Sequence, residues 1–290
     1  MSKVRIVTDS TTCLPPELIE QYDIRVMPLG LVIDGKACRD GVDITTDEFW
    51  EMFKDLKVLK DLEEHPTTTA VTPGEFVSVF SELAKTTDSI VCILVSRALS
   101  ATHESAYYAR RLIRPEHPNL RIEIIDSRTS VGAQGFIVLE AARAAQENKS
   151  LEEVTDIIRD MMSRVIYIAT LDTLKYLIKS GRAPKSTTIG ELLGVKPVIG
   201  FVDDTGLLEV IARVRGKQKT ISKMVDLVKK YIDTQKPVHI MVHHCDSLQD
   251  AGELKEMVTS RYRCVESYMT EYTPVMVTHT GPMLGLSFYS

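Results

Sequence analysis

The sequence predicts an α/β protein. Its N-terminal half is built on a mostly parallel sheet flanked by helices, and its C-terminal half is a mixed α/β unit. Three observations predict this. The run Ile90–Val95 is continuously apolar and gives way to a helical pattern, as expected of a strand buried on both faces of a parallel sheet. Up to about Ser163, strand-like runs alternate with helical ones, the pattern of βαβ units. Beyond that point Asp203-Asp204-Thr205-Gly206 separates two strand-like runs, Val198–Val202 and Leu207–Arg213, so a hairpin brings antiparallel pairing into the second half. The boundary falls in Ser163–Thr170, giving units of residues 1–165 and 166–290.

Taken in order, Val4–Val7 reads as the first strand, with Asp9-Ser10-Thr11-Thr12 at its carboxyl end. Pro15-Pro16-Glu17 opens a short helix, with proline in the first turn where its missing N–H costs nothing. Ile24–Ile33 is extended, and Asp34-Gly35 is a hairpin turn signal. Thr45-Thr46-Asp47-Glu48 makes a capping box for a helix through Phe53, on which the lone Trp50 is expected to pack into the core. Lys54–Pro66 is charged and irregular, a surface loop. Thr72-Pro73-Gly74-Glu75 is a second capping box for a helix to Leu83, with Pro73 in its first position. The central strand and a helix over Thr102–Ile113 then complete a right-handed βαβ unit. Arg121–Ile125 is another strand, ending in Asp126-Ser127. Helices follow over Val131–Glu147 and, after the Ser150…Glu153 capping box, Leu151–Ser163. The second half opens with a strand, Val165–Thr170, and a helix, Asp172–Ser180, ended by Gly181. Gly190-Glu191-Leu192-Leu193-Gly194 leads to Lys196-Pro197-Val198-Ile199. Helices over Ile221–Tyr231 and Leu248–Arg261 flank a strand at Val238–Val242, and the runs Val275–Thr278 and Leu284–Tyr289 close the chain.

Composition excludes several functions. At 290 residues the chain holds two domains or one large one, each with a real core. Apolar and charged contents of 44% and 26% are those of a soluble globular protein. A net charge of −5 argues against nucleic-acid binding, which needs a basic face. No apolar run approaches the roughly 18 residues of a membrane span, and the N-terminus enters a strand too early for a signal peptide. Five scattered cysteines, odd in number and without metal spacing, fit a reduced cytoplasm.

The chemistry concentrates in two hydroxyl clusters. Ser96, Ser100 and Thr102 lie between the carboxyl end of the central strand and the start of the next helix. Ligands bind at such points in open α/β sheets, and a helix start offers free N–H groups and partial positive charge to an anion. Serine and threonine are also ordinary helix caps, so one of Ser100 and Thr102 is expected to serve as one. Upstream, Thr67-Thr68-Thr69-Ala70-Val71-Thr72 also leads into a helix; Thr72 is occupied as a cap, which leaves Thr68 and Thr69 to face a ligand. Two such loops read as a site for one anionic head group. Arg182, just past a helix end, is by default solvated or a C-cap partner, and His279 before Gly281-Pro282 reads equally as a core histidine.

Other reactive-looking stretches are weaker. His243-His244-Cys245-Asp246 ends a strand, where neighbouring side chains point to opposite faces and do not converge on a metal. A Cys–His nucleophile there needs a third, orienting group. His103-Glu104-Ser105-Ala106-Tyr107 starts like a zinc-protease helix but has Tyr107 at the second histidine. Gly181-Arg182-Ala183-Pro184-Lys185-Ser186 ends like a phosphate-binding loop but is too short for one, and G-x-G-x-x-G and G-x-S-x-G are absent.

In order along the chain, five motifs resemble those of the DegV family of bacterial fatty-acid-binding proteins, and the likeness extends over nearly the whole length. Thr8-Asp9-Ser10 matches the family's T-D-S, and Thr68-Thr69-Ala70-Val71-Thr72-Pro73 resembles T-S-Q-P-S-P. Ser96-Arg97-Ala98-Leu99-Ser100-Ala101-Thr102-His103-Glu104-Ser105-Ala106 is similar to S-S-x-L-S-G-T-Y-x-S-A. Leu174–Arg182 resembles L-x-Y-L-x-K-G-G-R, and His279-Thr280-Gly281-Pro282-Met283 resembles H-x-G-P-G. The resemblance implies a two-domain DegV-like fold with a ligand tunnel between the domains. It implies that Thr68, Ser100 and His279 bind the carboxylate of a long-chain fatty acid, with Arg182 near the exposed head group. Thr69, Ser96 and Thr102 are secondary candidates. It further implies a cytoplasmic carrier rather than an enzyme, with no metal or cofactor beyond the bound fatty acid. That carrier hands its ligand to a separate fatty acid kinase for acyl-phosphate formation, the kinase contact including Arg182, and touches membranes only transiently. A carboxylate removed from water needs several hydrogen bonds, while each buried methylene contributes about 0.8 kcal/mol. Departures from the family patterns are Val71 for proline and Ala101, Ser180 and Met283 for glycines; Ala101 bears on how closely the backbone approaches the carboxylate, Met283 on the pocket's shape. Two alternatives stand beside the carrier. One is a stand-alone hydrolase or phosphotransferase using Cys245 and His243, the other a lipid sensor without a kinase partner.

Overall fold

The computed structural model describes residues 3–55, 65–184 and 195–290. Strand β1 (Arg5–Asp9) leads through a 3₁₀ turn to helix α1 (Pro16–Gln21), then β2 (Arg25–Met27), β3 (Gly30–Ile33), β4 (Lys36–Arg39) and α2 (Thr46–Asp55). Next come β5 (Thr67–Thr69), α3 (Pro73–Leu83), β6 (Ser89–Leu94), α4 (Thr102–Ile113), β7 (Arg121–Asp126), α5 (Val131–Gln146) and α6 (Leu151–Arg164). The second half runs β8 (Ile166–Leu171), α7 (Lys175–Lys179), β9 (Val195–Phe201), β10 (Glu209–Arg215), α8 (Lys217–Tyr231) and β11 (Val238–His244). It closes with α9 (Leu248–Arg261), β12 (Cys264–Glu271), α10 (Pro274–Thr280) and β13 (Met283–Tyr289).

The N-terminal sheet has the order β2-β1-β6-β7 and is parallel throughout. β6 is buried at every position, which its unbroken apolar run anticipates. The second sheet, β10-β9-β8-β13-β11-β12, is mixed: its neighbours pair antiparallel except β11 with β12. Helix α5 packs against strands of both sheets and is buried on almost every face, so one apolar cluster runs from Val91 through Phe136 to Tyr167 and Met241. A second cluster lies under α8 and α9.

Two elements matter for the site, and the first differs from the sequence reading. Thr67–Thr69 forms a strand rather than a loop, in a small antiparallel sheet β4-β3-β5 where Thr68 faces Leu31 and Thr69 faces Gly30. β-Branched residues suit that edge, and a Cβ on Gly30 would lie only 2.1 Å from Thr69 Oγ1. Val275–Thr278 lies within helix α10, which starts at Pro274 and ends at Gly281 with φ +64°. Trp50 packs against the main core cluster. The greater part of the Lys54–Pro66 loop, and Gly190–Gly194, lie outside the described residues.

Candidate functional site

The carboxyl ends of the parallel sheet are drawn together by the T-D-S motif. Asp9, fully buried, accepts hydrogen bonds from the Val95 N–H (2.7 Å), the Thr11 N–H (3.0 Å) and the Thr11 hydroxyl (2.5 Å). Burial pushes its carboxyl pKa up while these donors pull it down. Thr8 Oγ1 donates to Ile93 O (2.8 Å), and Ser10 Oγ accepts from the Leu29 N–H (3.1 Å). The motif is a clamp on the loops that follow β1 and β6, and it places Thr11 and the Val95–Ala101 segment on one wall of a cavity.

That cavity, about 340 Å³, lies between the carboxyl ends of the parallel sheet and the mixed sheet. Leu29, Val95, Ile199, Phe201, Leu208 and Met276 give it an apolar lining, and Thr68, Ser100, Arg182 and His279 are among its polar groups. Its size and its few convergent polar groups are those of a small-ligand site.

Thr68 Oγ1 and His279 Nε2 are hydrogen-bonded at 3.0 Å, although 211 positions separate them in sequence. His279 Nδ1 is buried and has no partner among the described residues. Burial, with Arg182 and His65 nearby, pulls the ring's pKa down to about 3, so it is neutral at pH 7. Ser100 Oγ lies 2.9 Å from Thr102 Oγ1 and accepts from the Thr102 N–H at 3.3 Å. The methyl of Ala101, the N-cap residue of α4, cannot cap, and Ser100 takes the first helical amide in its place. Thr102 is wholly buried and reaches the cavity only through Ser100.

Thr69 lines the cavity; Ser96 does not. The Ser96 hydroxyl is buried, donates to Gly206 O (2.7 Å) and accepts from the Ala98 N–H (3.2 Å), so it ties this loop to the turn between β9 and β10. Arg182 donates from Nε to Leu99 O (2.9 Å) and from one terminal nitrogen to Ser180 O (3.1 Å). It pairs with no carboxylate among the described residues, and burial lowers its pKa. Beside it Tyr176 stacks on His65 at 5.5 Å, and His65 Nε2–H donates to Thr278 O (2.7 Å).

Sequence reasoning missed Thr11, Arg97, Ser130 and Thr280 on the polar lining, and Tyr167 and Phe201 on the apolar one. A signal existed for Ser130, which follows the second Asp-Ser pair at a strand end. Tyr167 carried none: its hydroxyl is turned away to Tyr272 (2.8 Å), and both rings are buried.

In the His243–Asp246 stretch, His243 and Cys245 are both buried. His243 is fully buried, bonded to Ser287 Oγ (3.1 Å), and burial lowers its pKa to about 3. Burial, reinforced by Asp246, Glu271 and Asp47, pushes the Cys245 thiol up to about 12, which leaves almost no thiolate at pH 7. Among the described residues no group of three or more His, Cys, Asp or Glu could hold a metal ion, and no helix is long and apolar enough to cross a membrane.

Comparison with known proteins gives this cavity a context. The model of the DegV family, described as one of uncharacterised proteins, matches residues 3–290. A DegV domain-containing protein of Caldanaerobacter subterraneus subsp. tengcongensis is 34% identical over 97% of this chain and 96% of its own length. Among solved structures, a DegV family protein of Thermus thermophilus described by its fatty acid binding superimposes with a TM-score of 0.89 at 26% identity, covering all of both chains. A stearic acid-binding protein of Eubacterium ventriosum gives 0.88 at 26% identity, covering 100% of this chain and 98% of that one. DegV of Bacillus subtilis, a fatty acid binding protein, gives 0.84 at 29% identity, covering 100% and 99%.

Proposed function

The chain belongs to the DegV family, and from that premise we propose that it binds one long-chain fatty acid, with the carboxylate against Thr68, Ser100 and His279 and the tail in the apolar cavity. The observation that carries this reading is the Thr68–His279 hydrogen bond on the wall of that cavity, between a hydroxyl and a ring that burial keeps neutral. Hydroxyls and a neutral imidazole offer a carboxylate hydrogen bonds without a deep ion pair, so the head group is satisfied yet releasable. Burying the tail of hexadecanoate contributes roughly 11 kcal/mol gross, against several kcal/mol for desolvating its carboxylate.

The reading extends to a carrier that is not itself a catalyst, is cytoplasmic and needs no cofactor. A separate fatty acid kinase meets the head group on the Arg182 side and converts it to the acyl phosphate. Residues 1–165 and 166–290 act as two units with the acyl chain between them, which the mixed origin of the lining supports. Titration calorimetry with hexadecanoate tests the binding step: Ser100→Ala should weaken affinity about tenfold, one lost hydrogen bond to a charged group. Undiminished affinity in that variant refutes the assignment. Acyl-phosphate formation on addition of a fatty acid kinase and ATP tests the second step, and its absence with a kinase active on another carrier refutes it.

A further inference from the structure

The cavity has an uneven charge. The chain as a whole is acidic, with a net charge of −5. Yet among the described lining residues there are two guanidinium groups, Arg97 and Arg182, and no carboxylate. Arg182 and the neutral donors Thr68, Ser100 and His279 suffice for a single negative charge. Arg97 is surplus to that need.

Arg97 is available for a ligand. Its side chain is 55% exposed at the cavity rim, and its one ion-pair partner among the described residues is Glu104, 3.1 Å from its Nε. An exposed pair of this kind is worth little and exchanges readily. Its backbone N–H is fixed to Asp126 Oδ1 (3.1 Å), so the residue is anchored at its base while its guanidinium stays free to turn. Leu99, two residues on, accepts from Arg182, which brings both arginines to the same loop. Two guanidiniums lining one cavity suit a phosphoryl group, which carries nearly two negative charges at pH 7 and presents oxygens for bidentate contact.

We propose that Arg97 is a specificity-determining residue that makes this cavity favour a single acyl chain ending in a dianionic phosphoryl group over the corresponding carboxylate. This deepens the proposed function and rests on its reading of the cavity as an acyl site. The phosphoryl group has two possible sources, an acyl phosphate or a lysophospholipid head group, and the chemistry recognised is common to both.

The test is competitive titration of the full chain with hexadecanoate, hexadecyl phosphate and 1-hexadecanoyl lysophosphatidate. Wild type, Arg97→Ser and Arg97→Lys are compared. The expected result is that Arg97→Ser weakens hexadecyl phosphate about tenfold, or ~1.4 kcal/mol, and leaves hexadecanoate within about twofold, while Arg97→Lys keeps most of the preference. Glu104→Gln, which releases Arg97, should shift the preference further toward the phosphate. Lysophosphatidate binding that follows hexadecyl phosphate points to the lysolipid, and its exclusion points to the acyl phosphate. An unchanged hexadecyl phosphate affinity in Arg97→Ser, or an equal loss for all three ligands, overturns the proposal. Failure of wild type to bind hexadecanoate would instead sink the fatty-acid reading and leave the Arg97 comparison standing on the phosphate alone.

Discussion

Replacing His279 by glutamine removes an imidazole on the cavity wall that burial holds neutral, while an amide remains to pair with Thr68. The ring's pKa is about 3 in the folded protein against an ordinary 6.5. Below the ordinary value the unfolded chain binds a proton at this position that the folded chain refuses, so acid favours unfolding. Between pH 7 and pH 5 this amounts to about 2 kcal/mol, and the full difference is reached only as pH falls through the folded value. His243, also near 3, contributes the same dependence to both proteins and cancels in the comparison. Urea unfolding at the two pH values, followed by circular dichroism, should therefore show His279→Gln losing about 2 kcal/mol less stability than wild type on acidification. Parallel loss of stability in the two proteins refutes the claim that burial keeps this imidazole neutral.

Other perturbations follow from the same geometry. Gly281→Ala should cost at least about 2 kcal/mol in thermal unfolding, because the residue sits at φ +64° and its Cβ would lie 2.5 Å from the Tyr176 ring; a variant as stable as wild type contradicts this packing. Asp9→Asn should cost about 2 kcal/mol by turning an acceptor of the Val95 or Thr11 N–H into a donor; calorimetry showing no loss would remove Asp9 as the clamp of the loops. Cys245→Ala should leave hexadecanoate affinity unchanged, since the thiol is buried and outside the cavity lining; a hydrolytic activity abolished by this change would revive the nucleophile reading.

What the sequence made legible was chiefly local. The three capping boxes are formed: Thr45 with Glu48, Thr72 with Glu75 and Ser150 with Glu153 each exchange side-chain and backbone hydrogen bonds. Each needs only residues three apart, so spacing alone finds it. The central strand β6 was equally plain from its unbroken apolar run. Strand β5 was not, because its partner β3 lies more than thirty residues upstream and three threonines read as a loop without it. Edge strand β12 escaped for a related reason, its alternating half-buried residues giving no apolar run. The site divides the same way. Ser100 at a strand–helix junction and Thr68 in its threonine cluster were visible from position, whereas the role of His279, 211 positions from Thr68, was reached only through the family motifs. Arg97, charged and in a loop, carried no signal until the cavity gave it a context.

The most direct measurement of the central claim is native mass spectrometry of the protein as purified, repeated after denaturation and solvent extraction. The expected result is a bound mass of a C14–C18 fatty acid in one-to-one ratio, lost on extraction and reduced in Thr68→Val. A protein that carries no such mass and takes up no added hexadecanoate would contradict it.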